Sequence, residues 1–346
     1  MQLRDILESR DRDLYDIFIA LTVQIATRLN SIEKLFPEYT RHDPSHIKKL
    51  EHLSVDILKP ENVQLLTPAD MFVLLCALWI HDAGMGLDES IETDYKARSA
   101  FKEKLAIYRR TGRSETDCWK DYVRENHHRF CPQIAKKYLA DHVSPFFVDW
   151  IGKVAESHGE KQLHVRSKWP KLVAVGNGQQ IHAPLLGVVI RLADILHFNN
   201  ERAPEYMLEH RHITNAISIS HWKAHQAAAD PSFSDDTCYF DGLTNDDEAY
   251  WFAQQFIRWM DDEVRYCKQE VLPVLDADFQ HALRFSRVES RIDPQGFLAG
   301  REPTTLRVDS TRLLQDLLNS TLYANKPACF ASLFRMPLMP AATGVV

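Results

Sequence analysis

The chain has no CxxC pair, no GxxxxGK or GxGxxG loop, and no apolar run longer than the ten residues from Met71 to Ile80. Each absence excludes something. The six cysteines (Cys76, Cys118, Cys131, Cys238, Cys267 and Cys329) are scattered, so neither a zinc knuckle nor a disulfide framework is expected, and reduced thiols in a cytoplasm fit them. Without a glycine-rich phosphate loop, P-loop and dinucleotide-binding readings lose their signature. A ten-residue apolar run ending at His81-Asp82 falls well short of the roughly 20 residues that span a bilayer. The opening MQLRDILESRDRD is charged from its fourth residue and has no apolar core, so no secretion signal is expected. Positive charge is also in short supply. Lys+Arg number 41 against 48 Asp+Glu, a net charge of −7, which excludes a broad basic footprint for nucleic acid but leaves a local basic channel open.

What is present is a globular composition, 45% hydrophobic and 26% charged over 346 residues, rich enough in apolar side chains to rule out a disordered chain. Histidine stands out, with sixteen residues. It is the commonest metal ligand and the usual acid–base group near neutral pH, so the histidines guide the search for a site.

The first 200 residues read as helix. Apolar positions recur at three- and four-residue spacing from Leu14 to Phe36. Asp43-Pro44 and Thr67-Pro68 each look like a cap followed by proline at the first helical position. Helices are predicted over about 91–109, 116–140, 145–158 and 184–199. After Pro204 the pattern changes. Residues 212–221 alternate and predict a strand, as do 237–243, 284–292 and 305–308; helices are predicted over about 246–272 and 310–323. The expected architecture is mainly α: a helical bundle over residues 1–204, a smaller α+β appendage over 205–326, and an irregular tail over 327–346.

Four pieces of sequence then converge. His46 lies near the start of a helix in PSHIKKL, His81-Asp82 ends another in LWIHDAGMG, and Asp194 sits within the apolar RLADIL. A carboxylate buried there without a partner would cost several kcal/mol or take up a proton, so a cation is needed. Two imidazoles and two carboxylates suit a divalent ion such as Mn, Fe, Ni, Co, Zn or Mg.

The order His…His-Asp…Asp resembles the HD superfamily of metal-dependent phosphohydrolases, which are all-helical. The resemblance covers about residues 40–200. It implies His81 and Asp82 at the catalytic centre and His46, His81, Asp82 and Asp194 as metal ligands. It further implies a second ion where two more histidines are supplied, here His128 and His158, with Asp82 bridging. A lone buried histidine is more often a satisfied core residue, and His128 and His158 carry that bland reading more heavily than the first four. His42 and His127 are candidate substrate contacts, with Asp43 most simply an N-cap. Lys153, Lys161, Arg191 and Arg202 are candidates to neutralise phosphate. His197, one turn beyond Asp194, is placed to support a ligand from behind. The remaining C-terminal histidines, including His221 and His225, read as surface or structural, and Trp79, Trp119 and Trp150 as core.

The terminal ACFASLFRMPLMPAATGVV has one peculiarity. A permitted back-translation, read one base earlier, spells LFRELVQNAADACR, which resembles the first motif of the GHKL ATPases. The expectation is an HD unit cut short by a frameshift near Cys329, with a GHKL ATPase domain as partner and a stress or phage-defence setting implied by resemblance. The expected substrate is a phosphorylated small molecule or a nucleic-acid end, with nucleotides and single-stranded nucleic-acid ends implied by the resemblance. The rival is a non-catalytic nucleotide- or metal-sensing module for an ATPase; the intact ligand set favours catalysis.

Overall fold

In the computed structural model, which describes residues 2–86, 89–160, 169–176, 179–211 and 216–296, helices α1 (Leu3–Arg10) and α2 (Arg12–Leu35) meet at Asp11, whose side chain caps α2 at Leu14 N. Asp43 caps α3 (Pro44–Ile57), accepting from the backbone of Ser45 and His46, and so fixes the first turn on which His46 stands. The short α4 (Pro60–Leu65) leads to α5 (Pro68–Ile80), which starts with a reciprocal cap between Thr67 and Asp70. Every residue of α5 from Ala69 to Ile80 is buried. A helix apolar on all sides belongs in the middle of a bundle, and this one delivers His81 and Asp82 at its end.

Helices α6 (Glu89–Ala97), α7 (Ser99–Arg110) and α8 (Glu115–Asn126) follow. A 3₁₀ turn over His127–Phe130 then leads into α9 (Cys131–Leu139), and α10 (Pro145–Glu156) runs on to a second 3₁₀ turn carrying His158. Strands β1 (Val173–Gly176) and β2 (Gln179–Ile181) pair antiparallel ahead of α11 (Ala183–Leu196), which carries Asp194. Asp70 holds the start of α11, accepting from His182 N at 2.7 Å and from His182 Nδ1 at 2.9 Å. The chain continues through α12 (Glu205–His210), α13 (Ala216–Gln226), β3 (Ser232–Ser234), β4 (Thr237–Thr244), α14 (Asp247–Tyr266) and β5 (Arg287–Pro294). β3 and β4 form a hairpin through Asp235 and Asp236, both at positive φ (50° and 63°), as the tight hairpin turn demands. β4 and β5 are parallel, from Thr237 opposite Arg287 to Thr244 opposite Pro294, with α14 as the crossover.

The fold is mainly α with a small α+β region, as the sequence predicts. One strand is corrected. Within 212–221, residues 216–221 lie in helix α13, and 212–215 fall outside the described residues. A short alternation is a weak signal beside tertiary packing: Trp222 is fully buried and donates Nε1–H to the Glu38 carbonyl at 2.9 Å. The strand expected at 305–308, the helix at 310–323 and the tail over 327–346 also lie outside the described residues.

Among the described residues, those up to Ile91 and those from Val123 to Gly296 form one unit. The C-terminal appendage returns to the bundle within it. Lys59 N donates to the Ala282 carbonyl at 2.9 Å and Arg284 N to the Ile57 carbonyl at 2.9 Å, so the break in texture at residue 204 is not a break in packing. The second unit, Glu92–Tyr122 among the described residues, holds an aromatic cluster in which Phe101 meets Trp119 edge-on at 5.5 Å and Tyr122 at 5.4 Å. Among the described residues no single helix is long and apolar enough to cross a membrane.

Candidate metal centre

Three histidines present the same nitrogen for the same reason. His81, His127 and His158 each sit at a helix end or in a 3₁₀ turn and donate Nδ1–H to the carbonyl three residues back: Leu78 at 2.7 Å, Arg124 at 3.0 Å and Ala155 at 2.6 Å. Committing Nδ1–H to the backbone leaves a lone pair on Nε2, the form a metal ligand needs. His46 has its Nδ1 2.7 Å from His197 Nδ1, with the rings stacked at 4.9 Å. His197 thus orients His46 from behind.

The Nε2 atoms converge on two carboxylates. Asp82 Oδ2 lies 3.0 Å from His81 Nε2 and 3.5 Å from His46 Nε2; Asp194 Oδ1 lies 3.4 Å from His46 Nε2 and 4.0 Å from His81 Nε2. The other oxygen of Asp82, Oδ1, faces His127 Nε2 at 3.4 Å and His158 Nε2 at 4.0 Å. Two groups of ligand atoms result, His46–His81–Asp194 and Asp82–His127–His158, and the two oxygens of Asp82 look toward different groups.

These residues fit divalent ions on two counts. His46 Nε2, His81 Nε2 and Asp82 Oδ2 are buried with no hydrogen-bond partner, a costly state for polar atoms. His127 Nε2 and His158 Nε2 meet at 3.0 Å although both rings have given their Nδ1–H to carbonyls. Two lone pairs face each other there, at the spacing of neighbouring ligands around an ion that holds each nitrogen at about 2.1 Å. Without an ion, the carboxylates gather positive charge by other means. Burial opposes charge on His81, but Asp82 and Asp194 overcome it and raise the imidazolium to about 9. Burial likewise opposes charge on both carboxylates, yet His81 and His42 beside Asp82, and Arg202 and His46 beside Asp194, hold both well below the usual carboxylate range.

Of the residues singled out by sequence, His46, His81, Asp82, His158 and Asp194 are brought together. His128 is not. Helix α8 ends at Asn126 and the 3₁₀ turn reverses the expected directions, so His127 enters the cluster. The His128 ring packs instead against Gly159, where a Cβ would lie 2.5 Å from its Cγ, and burial pushes His128 down to about 3. Gly84 permits the approach of His127, since a Cβ there would stand 2.4 Å from the His127 carbonyl oxygen. That close approach explains the glycine better than the helix C-cap its position suggests. His127→Ala is expected to lower the bound metal by about one ion per chain while His128→Ala leaves it unchanged; elemental analysis of the two variants decides, and the reverse pattern would restore His128.

His42 and Arg202 stand at the mouth. His42 Nδ1 donates to the Thr40 carbonyl at 2.7 Å, and its Nε2 lies 4.0 Å from Asp82 Oδ2 and 3.4 Å from Arg202 Nη2. Burial lowers His42 to about 3 against the pull of Asp82, with Arg202 adding to the burial effect. Arg202 Nη1 donates to Asp194 Oδ1 at 3.3 Å and to the Asp194 carbonyl at 3.1 Å, while its Nε is buried without a partner.

The other cationic candidates are elsewhere. Lys153 pairs with Asp149 on the exposed side of α10 at 2.6 Å, and Lys161 lies outside the described residues. Arg191 is spent on the fold. It donates to Glu263 from Nε at 2.9 Å and Nη2 at 2.7 Å, and to the Ser157 and Glu160 carbonyls. Arg191→Leu would remove the guanidinium that faces the buried Glu263 carboxylate, and is expected to cost about 3–5 kcal/mol. Urea unfolding reads this, and a loss under about 1 kcal/mol, as for an exposed pair, would contradict it.

The site opens into a cavity of about 390 Å³ bordered by Asp194, His42 and Arg202 and by residues from α13 and α14. Sequence reasoning left His221 and His225 aside. Their i, i+4 spacing, which puts both on one helix face, is the signal that could have found them.

A mainly helical bundle with a paired His-Asp at the end of its central helix, a histidine from an earlier helix and an aspartate from a later one is the arrangement of an HD-type metal-site domain. The chain matches the HD-CE family model over residues 36–266, more than half its length, and belongs to that family. Comparison with curated proteins and with solved structures finds no significant match.

Proposed function

We propose that this chain is a metal-dependent phosphohydrolase. The observation that carries the reading is the division of labour at Asp82, whose two oxygens face two separate groups of ligand nitrogens. His46, His81, Asp82 and Asp194 would hold one divalent ion, and Asp82, His127 and His158 a second. When bound, such a pair acidifies a water and polarises a phosphoryl group for in-line attack.

The chain's own residues supply the rest. His197 holds the His46 ring, and the backbone carbonyls of Leu78, Arg124 and Ala155 hold three others, so the ligand set is prearranged. Arg202 brings a permanent positive charge beside Asp194, suited to a phosphate oxygen, and His42 accepts from its Nη2 and steadies it at the mouth. Burial of His46, His81 and Asp82 keeps bulk water from these ligands, which strengthens each charge interaction. The substrate is proposed to be a phosphoester or phosphoanhydride.

The test is turnover of aryl phosphomonoesters, aryl phosphodiesters and nucleotides by the full chain, stripped with a chelator and reloaded with Mn²⁺, Ni²⁺ or Mg²⁺. Activity should vanish with the chelator and return with at least one ion. A chain that holds metal but turns over none of these classes contradicts the reading.

A further inference from the structure

Of all the candidate ligands, Asp82 makes the greatest demand on orientation, because its two oxygens face two groups. The others have holders. Backbone carbonyls steer His81, His127 and His158, while His197 steers His46 and Arg202 meets Asp194. Asp82 Oδ2 has no hydrogen-bond partner, so the aim of this side chain rests on the backbone beneath it. That backbone is a junction. At Asp82 (φ −92°, ψ −8°) helix α5 gives way to a 3₁₀ turn over Ala83–Met85.

The turn is held from two elements. From α2, the buried Arg28 donates Nε–H to the Ala83 carbonyl at 2.7 Å. The same carbonyl closes the turn by accepting from Gly86 N at 3.2 Å. The chain then leaves the turn pressed against α2, where a Cβ on Gly86 would stand 2.8 Å from Arg28 Cγ and 2.9 Å from the Arg28 carbonyl oxygen. The second contact comes from the His127 turn, whose carbonyl lies against Gly84. The Cys131 thiol, just beyond that turn, donates to the His81 carbonyl at 3.3 Å. Burying a guanidinium is costly unless its N–H groups are met, and here one N–H meets the residue next to the bridging carboxylate.

We propose that Arg28 is a positioning residue for the Asp82 bridge: by holding the Ala83 carbonyl it fixes the turn from which Asp82 Oδ1 faces His127 and His158. This rests on the two-ion reading above. The consequence is asymmetric. His46 and Asp194 stand on α3 and α11, and His81 N still donates to the Ala77 carbonyl at 2.9 Å, so the first group is held without the turn. The second group depends on it twice, through Asp82 Oδ1 and through His127, which packs on Gly84. Loosening the turn therefore weakens the second ion more than the first.

Two substitutions of matched length isolate the N–H. Gln carries its amide nitrogen at the same bond count from Cα as Arg Nε, and Met carries a methyl there; both remove the charge. Calorimetric titration of the metal-free full chain with Mn²⁺ reads the two binding steps separately. Arg28→Met is expected to weaken the second step about tenfold or more and the first less than about threefold, the scale for an outer partner of a metal ligand. Arg28→Gln should recover most of the loss. Gly86→Ala, which pushes a Cβ into the Arg28 stem, should weaken the same step, and it stands in for Arg28→Met should that variant not fold. A role confined to stability would weaken both steps together. That result, an unchanged second step in Arg28→Met and Gly86→Ala, or Arg28→Gln no better than Arg28→Met overturns the positioning role and leaves the two-ion reading standing. A wild-type chain that binds fewer than two Mn²⁺ ions overturns both.

Discussion

Asp82→Ala is expected to remove both ions and to lower the proposed metal-dependent phosphohydrolase activity by more than about 100-fold, the upper end of the loss that follows removal of an outer partner of a metal ligand. The reason is geometric. His81 and His46 face Asp82 Oδ2, while His127 and His158 face Oδ1. Asp82 is the carboxylate grouped with His127 and His158 among the described residues. Asp194→Ala touches only the first group and should leave about one ion behind. Asp82→Asn retains one oxygen but replaces the other with a donor and removes the charge, so it should hold at most one ion. Elemental analysis, with circular dichroism to confirm that each variant folds, separates these outcomes. Two ions retained in Asp82→Ala would remove the bridge from the account.

Acid should unfold this chain earlier than its carboxylates would. His42 and His128 are lowered to about 3 and His221 to about 4, and His225 lies well below its ordinary value, burial being the main cause each time. In the unfolded chain all four titrate near 6.5. For a histidine lowered by folding, the unfolded state binds more protons as pH falls through 6.5, so stability drops from there down toward the folded value. Each such group contributes about 1.4 kcal/mol per pH unit in that window. His81, raised to about 9 in the metal-free chain, is charged in both states below pH 6 and leaves the slope unchanged. Four groups acting together exceed the usual margin of stability within about two pH units. Chemical denaturation of the metal-free chain at pH 7.5, 6.5 and 5.5 should show stability falling steeply over the last step. A flat profile to pH 5 would mean that these histidines are solvated or paired.

The candidate metal centre was largely legible because its His and Asp residues lie in short motifs tied to helix ends. An Asp-Pro cap sets the register of His46, and the run from Met71 to Ile80 is helical whatever surrounds it, so His81 and Asp82 must emerge at its end. Asp194 announced itself by its apolar neighbours. The choice between His127 and His128 was not legible, since it depends on where α8 gives way to a 3₁₀ turn, and that point is set by Gly84 and Gly159 lying close to the two histidines. Arg191 misled for a different reason. Its partner Glu263 is 72 residues away, and nothing local distinguishes an arginine reserved for a buried ion pair from one awaiting phosphate. The α13–α14 side of the cavity was hidden in the same way. His221, His225, Phe256 and Trp259 form a surface only after the appendage has folded back on the bundle, and the brief alternation before His221 pointed to a strand.

The bridge at Asp82 is the claim on which the rest depends, and electron paramagnetic resonance of the Mn²⁺-loaded chain tests it most directly. Two ions sharing a carboxylate are magnetically coupled. Titration with Mn²⁺ should therefore give an uncoupled six-line signal at first, and a broad exchange-coupled spectrum as the second equivalent binds. An uncoupled six-line signal alone at two bound equivalents would show ions in separate sites and contradict the account.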